Sequence, residues 1–195
     1  MVGGKLRCLG STQHLRTLYG RGYQIEMSFR IPTEVDISSL LATIVSLSGK
    51  EYVTAEKQSA MEGGSMGILA DEISMNEAEV MSALANSGKP EWSNRLHSTA
   101  VDIVMALREQ GAISAKMLAN WWFFESAYDD TCIFLRQNFG DFDVRERQIS
   151  KTRFEIETND ANGTKRQLST LFDLLESQKV ALRVQEYSVS QTSLE

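Results

Sequence analysis

Residues 23–31 read Tyr23-Gln24-Ile25-Glu26-Met27-Ser28-Phe29-Arg30-Ile31 and alternate without a break. Tyr23, Ile25, Met27, Phe29 and Ile31 share one face, and Gln24, Glu26, Ser28 and Arg30 share the other. A period of two belongs to a strand with one face on a core and the other in water. Pro32 ends the run.

Such a strand needs a layer to cover its apolar face, and the downstream sequence supplies one. Ser114 can cap a helix containing Met117, Leu118, Trp121 and Trp122. A second helix is expected over 125–138, with Tyr128, Cys132, Leu135 and Phe139 at i, i+4, i+7 and i+11 and Gly140 as its stop. Residues 143–149 and 152–158 read as strands, with Phe154 and Ile156 facing one way in the second. Asn159-Asp160-Ala161-Asn162-Gly163 reads as a loop. Residues 167–179 read as an amphipathic helix with Leu168, Leu171, Phe172 and Leu175 on one side, and 184–189 as a last short strand. The order βαββαβ is the ferredoxin-like α+β pattern, with helices on one face of an antiparallel sheet.

Residues 32–112 interrupt this order as a mainly helical insertion, expected to be partly mobile because its periodicity is weak and broken. Helices are expected from a cap near Asp36, over 77–85 and over 100–109 with Gly111 as a stop. Gly63-Gly64-Ser65-Met66-Gly67 and Ser87-Gly88-Lys89-Pro90 read as loops. Upstream of the first strand, Gly3-Gly4 is a hairpin turn signal and Lys5-Leu6-Arg7-Cys8-Leu9 alternates like a strand. Ser11-Thr12 can cap a short helix from Gln13 to Leu18, and Gly20-Arg21-Gly22 reads as a turn.

Composition narrows the function classes. A hydrophobic share of 42% and a charged share of 24% are those of an ordinary globular protein. The longest apolar run, Ile103 to Leu107, is far shorter than the ~18 residues a spanning helix needs. No apolar leader segment stands in the first twenty residues, and two cysteines make no disulfide framework. A reducing, cytosolic setting is therefore the default. The net charge of −6 is uneven: +4 over 1–31, −8 over 32–140 and −2 over 141–195. An acidic middle disfavours nucleic acid as a partner, because phosphate binding relies on basic clusters.

Residues that could suggest chemistry have simpler readings. His14 and His97 are far apart, and Cys8 six residues from His14 is only a pair, so no metal site is assigned. Cys132 reads as a small core residue, and Cys8 has no visible activating base. Asp129-Asp130 point about 100° apart on a helix and do not converge, so they read as a solvated helix start. Trp121-Trp122-Phe123-Phe124 read as core, although four consecutive aromatics cannot all face one core. Ser190 or Thr192 reads as a helix cap in preference to a phosphorylation site. No G-x-x-x-x-G-K-[ST] phosphate loop occurs.

Two motifs carry a family resemblance. Residues 1–16, Met-Val-Gly-Gly-Lys-Leu-Arg-Cys-Leu-Gly-Ser-Thr-Gln-His-Leu-Arg, followed by Tyr19-Gly20-Arg21-Gly22-Tyr23, resemble the end of the ATP-binding cassette of A-subfamily ABC transporters. Glu186-Tyr187-Ser188-Val189-Ser190-Gln191-Thr192-Ser193-Leu194-Glu195 resembles that family's E-x-S-V-S-x-T-S/T-L-E/D. Trp121-Trp122-Phe123-Phe124-Glu125 is similar to a Trp-Trp-x-x-Glu element of some members.

The resemblance implies a fragment: residues 1–22 as the remnant of a nucleotide-binding domain, and 23–195 as the regulatory domain behind it. The missing strand of the hairpin would lie upstream of Met1. His14 matches the family's Gln-His-Leu and follows the switch region. The parent would be a transport ATPase that moves lipids and binds ATP and Mg²⁺ outside this segment. This chain lacks the Walker A, signature and Walker B motifs, so it is not expected to hydrolyse ATP alone, and no catalytic, cofactor or metal residue is assigned. Expected partners are the remainder of the transporter, including its nucleotide-binding domains and the other regulatory domain, with lipid met only through the transmembrane part. The segment itself would be soluble, at the cytosolic face of a membrane. Tyr187, Ser188, Val189, Ser190 and Gln191 are the expected contact region. The alternative is a free-standing soluble module acting on a transporter in trans.

Overall fold

The structure, a computed structural model, describes residues 22–49, 73–157, 159 and 167–191. The strand and helix expected before residue 22, the 63–67 loop, most of the 159–163 loop and the cap expected at Thr192 lie outside these residues, as do Cys8 and His14. The chain divides into two units: residues up to Arg30 together with those from Ala127, and Ile31–Ser126.

In the first unit, the alternating stretch forms β1 (Gly22–Phe29) with Tyr23, Ile25, Met27 and Phe29 buried. The strand stops two residues earlier than the alternation predicts, and Ile31 is 78% exposed. The chain leaves the ladder at Arg30, whose N–H donates to the Arg183 carbonyl (2.8 Å). Two further strands, β4 (Phe142–Arg147) and β5 (Lys151–Glu157), form a hairpin, and β6 (Val184–Gln191) closes the sheet. The order β4-β5-β1-β6 is antiparallel throughout, as the ferredoxin-like pattern requires. Gly22 permits the first β1–β5 pair, because a Cβ there would collide with the Ile156 carbonyl oxygen.

The helix expected over 125–138 is the C-terminal part of a longer one, α5 (Ala115–Phe139). Residues 115–139 therefore form one helix where the sequence suggests two, and Asp129-Asp130 stand in its interior instead of at its start. Asp130 pairs there with Arg183 at 3.2 Å. Its part within this unit buries Leu135 and Phe139 and leaves Cys132 half-buried. Gly140, at φ 80°, terminates it by donating to the Arg136 carbonyl. Phe154 is fully buried between Tyr128 (stacked, 6.1 Å) and Phe142 (edge-on, 5.7 Å). The second covering helix, α6 (Leu168–Gln178), buries Leu171 and Leu175.

The second unit contains α1 (Glu34–Ser48), β2 (Ser74–Asn76), α2 (Glu77–Asn86), α3 (Glu91–Thr99), α4 (Val101–Gln110), β3 (Ala112–Ser114) and the N-terminal part of α5. The cap of α1 is Thr33, with Asp36 as the reciprocal residue of a capping box; Asn76 and Glu79 repeat the arrangement on α2. β2 and β3 pair antiparallel. Helix α3 has no counterpart in the sequence reading. Its Trp92 and Leu96, at i and i+4, are fully buried, and Trp92 meets Trp121 and Trp122 edge-on at 5.7 and 4.9 Å. The weak periodicity of this region has a physical cause: short helices packed on several sides bury residues off any single stripe.

Candidate functional site

Two edges bound the four-stranded sheet, and their chemistry differs. On β4, four of six residues are charged (Asp143, Arg145, Glu146 and Arg147), and a register irregularity falls between Val144 and Glu146. Charge and a bulge are the devices that keep an edge from pairing. β6 carries one charged residue, Glu186, in eight and no proline. Its pairing with β1 runs regularly from Tyr23↔Gln191 to Ser28↔Glu186, and a register irregularity follows before Phe29↔Val184. Among the described residues nothing pairs with its outer side.

The five residues expected at the contact region all lie on this strand. Tyr187 and Val189 oppose Met27 and Ile25 on the helix-covered face and are half-buried; Ser188, Ser190 and Gln191 are exposed. Ser188 and Ser190 oppose Glu26 and Gln24 on the open face. Tyr187 is held by α6: its hydroxyl donates to Glu176 Oε2 (2.9 Å), its ring meets Phe172 at 5.9 Å, and Lys179 Nζ lies 5.9 Å from the ring centre. Burial, then the bond to Glu176, pushes the Tyr187 hydroxyl pKa above its ordinary value.

Sequence reasoning missed two residues of this edge. Leu168 and Phe172 belong to the apolar stripe expected to be buried, yet they are 42% and 38% exposed. The structure corrects that stripe: Leu171 and Leu175 are buried, whereas Leu168 and Phe172 stay exposed, Phe172 with its ring against Tyr187 of β6. The legible signal is the apolar width of the helix, five apolar residues (Leu168, Leu171, Phe172, Leu174 and Leu175) in eight.

The open face of the sheet is a lattice of charge. Glu26 accepts from Lys151 (2.5 Å) and Arg153 (3.0 Å), and Arg153 also reaches Glu146 (3.1 Å). Arg145 bonds Glu155 at 2.5 Å. The bonds from Lys151 and then Arg153 hold the Glu26 carboxyl below its ordinary pKa. The strand residues on this face include no aromatic, so it offers no platform for stacking bases.

In the second unit, the Trp-Trp-x-x-Glu element has a structural explanation. Trp121, Trp122 and Phe123 are buried, and so is Glu125 at 3% exposure. Arg95 donates to Glu125 Oε2 (3.3 Å) and Thr99 to Oε1 (3.1 Å); Trp121 Nε1–H donates to Thr99 Oγ1 (2.9 Å). The i, i+4 spacing of Trp121 and Glu125 lets both meet the same threonine. Among the described residues no group of three or more potential metal ligands occurs, and no helix is long and apolar enough to cross a membrane.

Together these features define an α+β, ferredoxin-like unit whose two sheet edges differ in charge. A stretch of 36 residues, 18% of the chain, is similar to A-subfamily ABC transporters. It is 47% identical to ATP-binding cassette sub-family A member 9 and to the ABC-type organic anion transporter ABCA8A, both of Mus musculus. It is 50% identical to ATP-binding cassette sub-family A member 10 of Homo sapiens. The matched stretch spans 2% of the length of each of these relatives. No family model and no solved structure matches the chain.

Proposed function

We propose that this chain is a regulatory, non-catalytic segment of an ATP-driven ABC transporter of the A subfamily. Its ferredoxin-like unit contacts other parts of that transporter through the β6 edge. The local identity of 47–50% to three such transporters carries the reading. The unprotected edge at Tyr187–Gln191 supports a contact role, and the absence of a phosphate-loop motif supports a non-catalytic one. Residues 1–22 are assigned to the end of a nucleotide-binding domain and 23–195 to the regulatory domain. ATP and Mg²⁺ belong to the parent transporter, and the substrate class is lipid, bound by its membrane part.

The native mass tests this. An antibody against residues 168–185 should detect a membrane-fraction band several times larger than 21.8 kDa, with mapped peptides containing a phosphate-loop motif. A band near the chain's own mass, extracted without detergent, overturns the reading and leaves a module that acts in trans.

A further inference from the structure

We infer that Ser150, at the tip of the β4–β5 hairpin, is a phosphorylation site for a protein kinase that reads arginine three and five residues before its acceptor. The hairpin tip is thereby a charge switch. The inference goes beyond the transporter reading and does not rest on it.

The sequence around the tip supplies the first argument. Arg145-Glu146-Arg147-Gln148-Ile149-Ser150-Lys151-Thr152-Arg153 carries four basic side chains and one acid in a chain of net charge −6. Four serines and threonines stand three positions after an arginine: Thr33, Ser98, Ser150 and Ser169. Of these, Ser150 alone has a second arginine five positions before it. A guanidinium pairs bidentately with carboxylates, so an acidic substrate groove selects arginine at fixed offsets from the acceptor.

The fold discriminates among these acceptors. Ser150 is exposed beside Ile149, and β4 carries Arg145 and Arg147 up to it as an extended strand at one edge of the sheet. Arg145, whose side chain is 52% exposed, pairs with Glu155 and Asp143. Arg147 lies over the Tyr128 ring, 3.6 Å from its centre. Surface contacts of this kind are weak and exchange readily for a partner's carboxylates. Thr33 and Ser98 are engaged within their helices instead. The Thr33 hydroxyl bonds Asp36 at 2.6 Å in the capping box of α1. The Ser98 hydroxyl donates to the Arg95 carbonyl (3.0 Å), and the Arg95 side chain bonds the buried Glu125. In the reaction the Ser150 hydroxyl oxygen bonds the γ-phosphorus of ATP as the bond from that phosphorus to the bridging oxygen breaks. The hydroxyl proton passes to the kinase's carboxylate base, and ADP leaves. The product adds about −1.5 to −2 charges between Arg147 and Lys151, with no acid in the chain from there to Glu155. The tip turns from cationic to nearly neutral, while the Ser150 carbonyl, which accepts from the Phe29 N–H (2.8 Å), keeps the hairpin on β1.

The test incubates the full chain with ATP, Mg²⁺ and the catalytic domain of a basophilic kinase that requires arginine at both offsets. Mass spectrometry should place the phosphate on Ser150, and Ser150→Ala should abolish its incorporation. Arg145→Lys and Arg147→Lys keep the charge but lose the planar fork, and each should lower kcat/KM by roughly tenfold or more. Arg145→Lys, at an exposed position, carries this arm with the fold intact. Amide NMR shifts on modification should centre on 147–153 and include Phe29. The inference is overturned by no incorporation, by a dominant phosphate on another residue, by unchanged kinetics in either arginine variant, or by shifts centred elsewhere. A peptide spanning 143–153 that is phosphorylated while the folded chain is not overturns it equally, because the fold then hides the acceptor. Failure here leaves the native-mass result untouched, and the reverse also holds.

Discussion

Arg95→Ala is expected to destabilise the second unit more than Glu125→Gln does. Glu125 is nine-tenths or more out of solvent, and Arg95, whose side chain is 26% exposed, donates to it. Removing one partner of a buried pair costs about 3–5 kcal/mol, because the remaining charge is left uncompensated. Arg95→Ala leaves the carboxylate buried with the Thr99 hydroxyl as a donor, and belongs near the lower end, about 3 kcal/mol. Glu125→Gln keeps an acceptor for Thr99 and removes the charge, and the arginine reaches water; about 1–2 kcal/mol follows. Replacing both, as Arg95→Met with Glu125→Leu, should recover much of the loss, since apolar pairs of similar volume are tolerated where a broken ion pair is not.

The assay is selective. All three tryptophans, Trp92, Trp121 and Trp122, lie in the second unit, so tryptophan emission during unfolding reports that unit. For a unit of roughly 100 residues, about 4–8 °C of Tm accompanies each kcal/mol, so Arg95→Ala should lower Tm by more than about 10 °C. Equal losses for Arg95→Ala and Glu125→Gln, or a double variant as poor as the sum of the singles, would refute the reasoning that an orphaned charge sets the cost.

Three further outcomes are expected. The folded-state pKa of Glu26 is depressed, so its contribution is full above the unfolded carboxylate value of about 4.3 and is lost as pH falls through the folded value. Urea midpoints by circular dichroism should fall more steeply with acid in the parent chain than in Glu26→Gln, and identical slopes would contradict this. Tyr187 is shifted the other way: its contribution is present below the unfolded value of about 10 and is lost as pH rises through the folded one. Tyr187→Phe should remove that alkaline loss, seen by absorbance titration and urea midpoints, at a neutral-pH cost below about 1.5 kcal/mol. Phe154→Ala should cost about 3–5 kcal/mol in the ferredoxin-like unit, since Phe154 is fully buried between Tyr128 and Phe142. A loss under 1 kcal/mol in denaturant unfolding would mean that the site collapses without a cavity.

The sequence by itself determined the ferredoxin-like unit through local periodicity. The alternation read over 23–31, the two strands read over 143–149 and 152–158 and the apolar stripe with Leu171 and Leu175 each follow from side chains a few residues apart, and such patterns survive without knowledge of partners. What stayed hidden depends on contacts between distant residues. The 25-residue helix Ala115–Phe139 looks like two because its stripe changes: Trp121 and Trp122 serve one core, Leu135 and Phe139 another. Helix α3 is buried through Trp92 against residues about thirty positions away, and Glu125 is buried through Arg95 and Thr99 at similar separation. Whether Phe172 faces a core or an open edge depends on strand order, which places β6 outermost beside β1. Periodicity states which face of an element is apolar; only tertiary structure decides what covers that face.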